Sequence, residues 1–252
     1  MLATFCVRLA LGLVASLLLL SSRQLHPRFF RTHFLTVLGL LALATLAAWP
    51  DAAGVLRALL VSGTVLGLLG ALAWTLEPAP GGQSATVLTV VALTGALAWL
   101  EVPPPEVSPV LPPAGWAAVG TTSAAFLGAG LSAMLVGHSY LISPGMALTP
   151  LMKMLAALAV TALVRAAVCG AGLWCWTATY GTDNLTSEVG LWLPVRWVVG
   201  VVAPLGFGWM AYSAAKIRST QSATGILYVV VVCSFLGELL SLLLTRQTGM
   251  PL

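Results

Sequence analysis

Five ionisable side chains stand inside or beside long apolar runs of this chain: Arg57, His138, Arg165, Arg196 and Glu238. A charge in such a run costs about 2.5 to 3.5 kcal/mol on membrane-insertion scales, so each needs a partner, a water-filled cavity or a route to an interface. Thr161, Arg165, Cys169 and Gly172 share one face of a helix, and Ser234, Glu238 and Ser241 share one face of another. Arg165 and Glu238 are therefore expected to face the interior and pair, either as a structural ion pair between helices or as a polar site for a ligand headgroup or a proton. Arg57 and Arg196 lie within two turns of the ends of their runs and are expected to snorkel.

His138 stands in Gly137-His138-Ser139-Tyr140-Leu141 at the end of an apolar run. Three chemistries are open to it: capping a helix by bonding a carbonyl, holding a quinone carbonyl or another small polar group together with Tyr140, and axial ligation of haem. A bis-histidine haem needs a second buried histidine, and His26 and His33 both fall in an arginine-rich surface loop, so no such haem is expected in this chain alone. No HExxH, GxSxG, glycine-rich phosphate loop or carboxylate pair on one helix is present, which leaves no catalytic residues to name. The Met146, Met152 and Met154 group reads as gap-filling, not as a copper site. Cys6, Cys169, Cys175 and Cys233 sit in apolar runs without a CxxC or Cys/His cluster and read as small buried hydrophobes, so no metal site is expected.

The elements that must position these groups are legible from composition. Of 252 residues, 59% are hydrophobic and 7% charged, and the mean hydropathy is +1.01. Too few polar residues remain to coat a surface in water, so the solvent is a lipid bilayer. Continuous apolar runs, not alternating ten-residue segments, select helices over a barrel. The expected fold is an all-α integral membrane bundle of about eight transmembrane helices with short loops, forming one domain over residues 1–252. The spans fall at about 1–20, 34–49, 52–76, 85–100, 116–142, 151–176, 191–212 and 225–244. The first has no obvious signal-peptide cleavage site and is read as a span. The second and fourth, at 16 residues, are short for a bilayer and must borrow flanking residues or thin it.

Alternate threading gathers Arg23, Arg28, Arg31, Lys153, Lys216 and Arg218 at one face, and Asp51, Glu101, Glu106, Asp183 and Glu188 at the other. The basic face is expected to be cytoplasmic, with both chain ends outside. Tryptophans 49, 99, 116, 174, 176 and 192 fall at outer boundaries and Trp74 and Trp209 at inner ones, the arrangement of an interfacial belt. The six prolines of the Glu101–Gly115 stretch predict an extended outer loop. Ser219 to Thr224 offers hydroxyls to cap the last span and to line an inner vestibule. The net charge of +4 is small and scattered, and nucleic acid is not an expected partner. No internal repeat and no broken helix at the midplane is evident.

Gly137-His138-Ser139-Tyr140-Leu141, the run Ser219 to Tyr228 containing Ala-Thr-Gly-Ile-Leu-Tyr, and Gly237-Glu238-Leu239 carry a resemblance. The chain resembles uncharacterised polytopic bacterial membrane proteins with a Gly-His-aromatic-Tyr-Leu and an Ala-Thr-Gly-Ile-Leu-Tyr motif, mainly over its second half. Ser139 stands where that motif has an aromatic residue. The resemblance implies the bacterial inner membrane and no particular activity. In span count the chain is also similar to the haem-free, quinone-interacting anchors of the polysulfide reductase type, although none of their motifs is present. The expected function is an accessory or quinone-contacting subunit of a bacterial, respiratory membrane complex, with other membrane subunits as partners and no catalysis of its own. The alternative is a small-solute or ion transporter with a polar site at Arg165 and Glu238. Candidate binding residues are His138, Tyr140, Arg165 and Glu238.

Overall fold

The computed structural model describes residues 1–76, 80–101, 111–143, 145–181 and 187–250. Among the described residues every regular element is helical: α1 (Leu2–Leu17), α2 (Pro27–Ala48), α3 (Gly54–Ala73), α4 (Gly82–Glu101), α5 (Pro113–Ile142), α6 (Thr149–Tyr180), α7 (Ser187–Trp197), a π-helical turn (Val198–Val202), α8 (Ala203–Lys216) and α9 (Thr220–Thr248). Segment α7–π–α8 is one continuous apolar span, Val189–Lys216, so seven helices are long and apolar enough to cross a membrane, and the shorter α1 accompanies them. This is an all-α, multi-pass membrane bundle. Its perimeter is apolar, with Leu46, Val160, Leu163, Trp174 and Trp209 well exposed on the isolated chain, as a lipid-facing surface requires.

At 16 residues, α1 spans only about 24 Å at the rise of an α-helix. It compensates by lying inside the bundle: eleven of those residues are buried, Arg8 and Ser16 among them. Helix α5, the other heavily buried element, crosses it at a glycine contact. A Cβ on Gly12 would fall 1.8 Å from the Ala124 carbonyl oxygen, and one on Gly128 2.0 Å from the Gly12 backbone. The two backbones therefore touch, and small residues set the centre of the bundle. The remaining helices pack around this pair, with α2, α4 and α9 against α1 and α4, α6 and α9 against α5.

Several boundaries differ from the expected ones for local reasons. Helix α2 starts at Pro27, a residue whose missing N–H suits the first helical position, and His26 Nδ1 accepts from the Arg28 N–H at 3.2 Å. The supposed surface loop is thus largely helix, and the second and fourth spans gain their missing length from flanking residues, reaching 22 and 20 residues. The last span starts earlier as well, at Thr220. Ser219 makes no side-chain cap bond there, and Thr224 instead bonds the Thr220 carbonyl at 2.7 Å, so the capping role expected of this run is not the one it has.

The seventh span is interrupted, which the sequence reading missed. Pro204 has no N–H to offer the Gly200 carbonyl four residues earlier, and the helix widens into the π turn, with the Ala203 N–H bonded to the Val198 carbonyl. Gly200 in that turn meets Gly237 of α9 so closely that a Cβ on Gly200 would lie 2.7 Å from the Gly237 Cα. The tryptophan belt is only partly realised: Trp49, Trp99, Trp174, Trp192 and Trp209 are exposed, while Trp74, Trp116 and Trp176 are buried, Trp74 stacking on Phe30 with centroids 4.3 Å apart. The proline-rich stretch after Glu101 and the polar run around Asp183 lie outside the described residues.

Candidate functional site

The expected Arg165–Glu238 pair forms. Arg165 Nη2 donates to Glu238 Oε2 at 3.3 Å and to Ser241 Oγ at 3.3 Å, and its Nη1 donates to the Val119 carbonyl at 3.1 Å. Two partners that the sequence reading did not assign complete the cluster. Arg8 of α1 forks onto Glu101, Nε to Oε1 and Nη2 to Oε2, both at 2.8 Å, and its Nη1 donates to Glu238 Oε1. Glu238 thus bridges two guanidiniums, and the four groups tie α1, α4, α6 and α9 together with side chains about 4% exposed or less.

Glu101 was expected in an outer loop. It is the last residue of α4 and is buried, in space left by Gly120, where a Cβ would sit 2.7 Å from the Glu101 Cγ. Arg8, within the first apolar run, is not among the candidate binding residues of the sequence. Once burial is set by four packed helices, a bidentate carboxylate is the arrangement that keeps a guanidinium there.

Arg196 does not snorkel. It is 2% exposed, its Nη2 donates to Cys169 Sγ at 2.8 Å, and its guanidinium lies over the Trp197 ring at 5.3 Å. Among the described residues its Nε and Nη1 meet no acceptor. Arg57 does reach the boundary, donating to the Trp49 carbonyl at 2.9 Å and lying over the Trp49 ring. With Arg196 counted, three guanidiniums face two carboxylates, leaving one positive charge in excess.

A polar pocket opens on this cluster, lined by Phe126, Arg165, Arg196, Gly200, Ser234 and Glu238, with a free volume of about 10 Å³, room for a single water or oxygen atom. Less than one turn further along the same helices lies an apolar cleft of about 270 Å³, lined by Leu158, Ala159, Ala162, Pro204, Gly208 and Tyr212 among others. Leu158, Ala162, Arg165 and Cys169 share one face of α6, so pocket and cleft are two levels of one seam between α6 and the π-interrupted span.

The other two candidates stand at the opposite end of the bundle. Tyr140 is buried and donates its hydroxyl to the Ala147 carbonyl, closing the turn between α5 and α6. His138 is exposed on α5, with Nδ1 3.5 Å from the Tyr228 hydroxyl. The expectation of one binding group containing His138, Tyr140, Arg165 and Glu238 divides into two ends of the molecule. The buried histidine is His33, expected in a surface loop but lying within α2. Its Nδ1 lies 3.0 Å from the Phe29 carbonyl and its Nε2 3.1 Å from Ser132 Oγ, which also bonds Ser16. Both ring nitrogens are engaged by the protein. Among the described residues no three His, Cys, Asp or Glu side chains gather as metal ligands, and the four cysteines are free thiols.

Fold and site together define a multi-pass helical membrane protein with a buried arginine–glutamate cluster. Comparison with protein-family models, with curated proteins and with solved structures finds no significant match.

Proposed function

We propose that this chain is a quinone-contacting integral membrane subunit of a bacterial electron-transfer complex, and that it meets the quinone at the arginine–glutamate cluster and not at His138. The observation that carries the reading is Arg196, a buried guanidinium with two nitrogens unmatched among the described residues, on a pocket beside an apolar cleft. A buried donor without an acceptor is costly, and a headgroup oxygen supplies what it lacks. The connections between the spans are short, which fits a subunit working within an assembly. The basic groups gathered at the end opposite the cluster favour a cytoplasmic position for that end, which would set the cluster in the outer half of the membrane.

Purification from the native host in a mild detergent, followed by mass spectrometry of proteins and of extracted organic molecules, tests this reading. Redox subunits and an isoprenoid quinone are the expected companions. The chain alone, with phospholipid only, contradicts the proposal.

A second reading, a small-solute or ion transporter, draws on the π turn. An interrupted helix packed against a buried charge cluster is where transporters place their binding sites, and Val198–Val202 lies against α9 beside Glu238. Ion or solute flux in liposomes carrying the purified chain, abolished by Glu238→Gln, would favour it over the first.

A further inference from the structure

We infer that the seam between α6 and the π-interrupted span is the quinone's own berth: one ring carbonyl oxygen on Arg196, and the ring and first isoprenoid units in the cleft between α6 and α8. This deepens the reading proposed above and rests on it. The inference joins three observations. Arg196 is buried, lines the polar pocket, and has Nε and Nη1 without acceptors among the described residues. The pocket's free volume of about 10 Å³ is enough for one oxygen atom, which suits a carbonyl better than a phosphate or carboxylate with further oxygens to satisfy. The cleft less than one turn away along α6 is almost wholly apolar and opens at the lipid-facing surface, with Trp209 and Tyr212 available to pack on a flat ring.

Sequence position brings the two close. Val201 of the π turn lines the polar pocket, and Leu205, Gly208 and Tyr212, on one face of α8, line the cleft that begins three residues later at Pro204. Gly208 keeps the two helices close, since a Cβ there would lie 3.6 Å from the Leu158 side chain. The π turn lines the polar level and brings Gly200 against Gly237, so the backbone of α9 forms the back wall. The cluster's one excess positive charge favours an electron-rich head. The ligand then enters sideways from the lipid, head toward the cluster and chain toward the Lys216 end of α8.

The test uses the full chain in phospholipid nanodiscs with a photoreactive azido-quinone bearing a short isoprenoid chain. Saturable labelling is expected within residues 155–162 and 204–212. Ala159→Phe fills the cleft from an exposed position that the fold tolerates, and should lower labelling at least tenfold; Gly208→Leu should do the same. Arg196→Gln should weaken apparent affinity about tenfold, while Arg57→Gln at the boundary changes nothing. Labelling confined to the His138 end, or indifferent to Ala159→Phe and Arg196→Gln in monodisperse protein, overturns this berth and leaves the quinone reading standing. Absence of saturable labelling anywhere removes both. Displacement of the probe by phospholipid or fatty acid, but not by unlabelled quinone, identifies a lipid site and also overturns the inference.

Discussion

Glu238 is the residue on which the buried cluster depends, and its neutralisation gives the sharpest test of that architecture. It bridges Arg8 and Arg165. At the 3.3 Å separation of Arg165 from Glu238, Coulomb's law with an effective dielectric of about 20 gives a gross attraction of about 5 kcal/mol. Glu238→Gln removes it and leaves three guanidiniums facing Glu101 alone, so the loss should reach about 3 to 5 kcal/mol, the range for a broken buried pair. Arg165→Leu should cost a similar amount by orphaning part of Glu238. The double variant removes one charge of each sign and returns the cluster to a single positive excess, so it should be less destabilised than the sum of the singles by about 1 to 3 kcal/mol. Unfolding in mixed micelles of dodecylmaltoside and dodecyl sulfate, followed by tryptophan fluorescence, measures all three. Strict additivity would refute the claim that these groups form one electrostatic unit.

Other expectations follow from packing. Gly12→Ala drives a methyl group into the α5 backbone and should cost about 3 kcal/mol or more, beyond ordinary overpacking; Gly39→Ala, with nothing within 4 Å, should be neutral or gain about 0.5 to 1 kcal/mol in the same assay. Tyr140→Phe removes the hydroxyl that closes the α5–α6 turn and should cost about 1 kcal/mol, leaving quinone binding intact. His33→Leu unties α2 from Ser132 and should cost about 1 to 3 kcal/mol, while His138→Leu should leave stability within experimental error.

Arg165 and Glu238 were legible because a charge deep in a long apolar run has few ways out, and the small and polar residues sharing a helix face with each pointed both toward the interior. Arg8 and Glu101 were not, for a physical reason: position along a helix gives depth in the membrane but not the direction a side chain faces. Glu101 borders a proline-rich stretch that reads as loop, and only the fourth helix's packing against α1 and α5 reveals its burial. Arg196 was misread in the same way, since a charge near a span's end can snorkel outward or turn inward with equal ease, and Cys169 and Trp197 hold it in. His33 had a readable signal in Pro27, a helix-starting residue, which the surrounding arginines obscured. The π turn had one too, in Gly200 and Pro204, although proline in a membrane helix does not specify which distortion follows. Span number survived these errors because hydropathy alone sets it.

The central claim, that the buried cluster and the adjoining cleft form one ligand site, is tested most directly by electron cryomicroscopy of the chain in nanodiscs made with native lipid extract. Elongated density in the α6–α8 cleft, with its head against Arg196, is the predicted result. An α6–α8 seam closed by direct side-chain packing, or filled by lipid whose head lies at the Lys216 end, would contradict it.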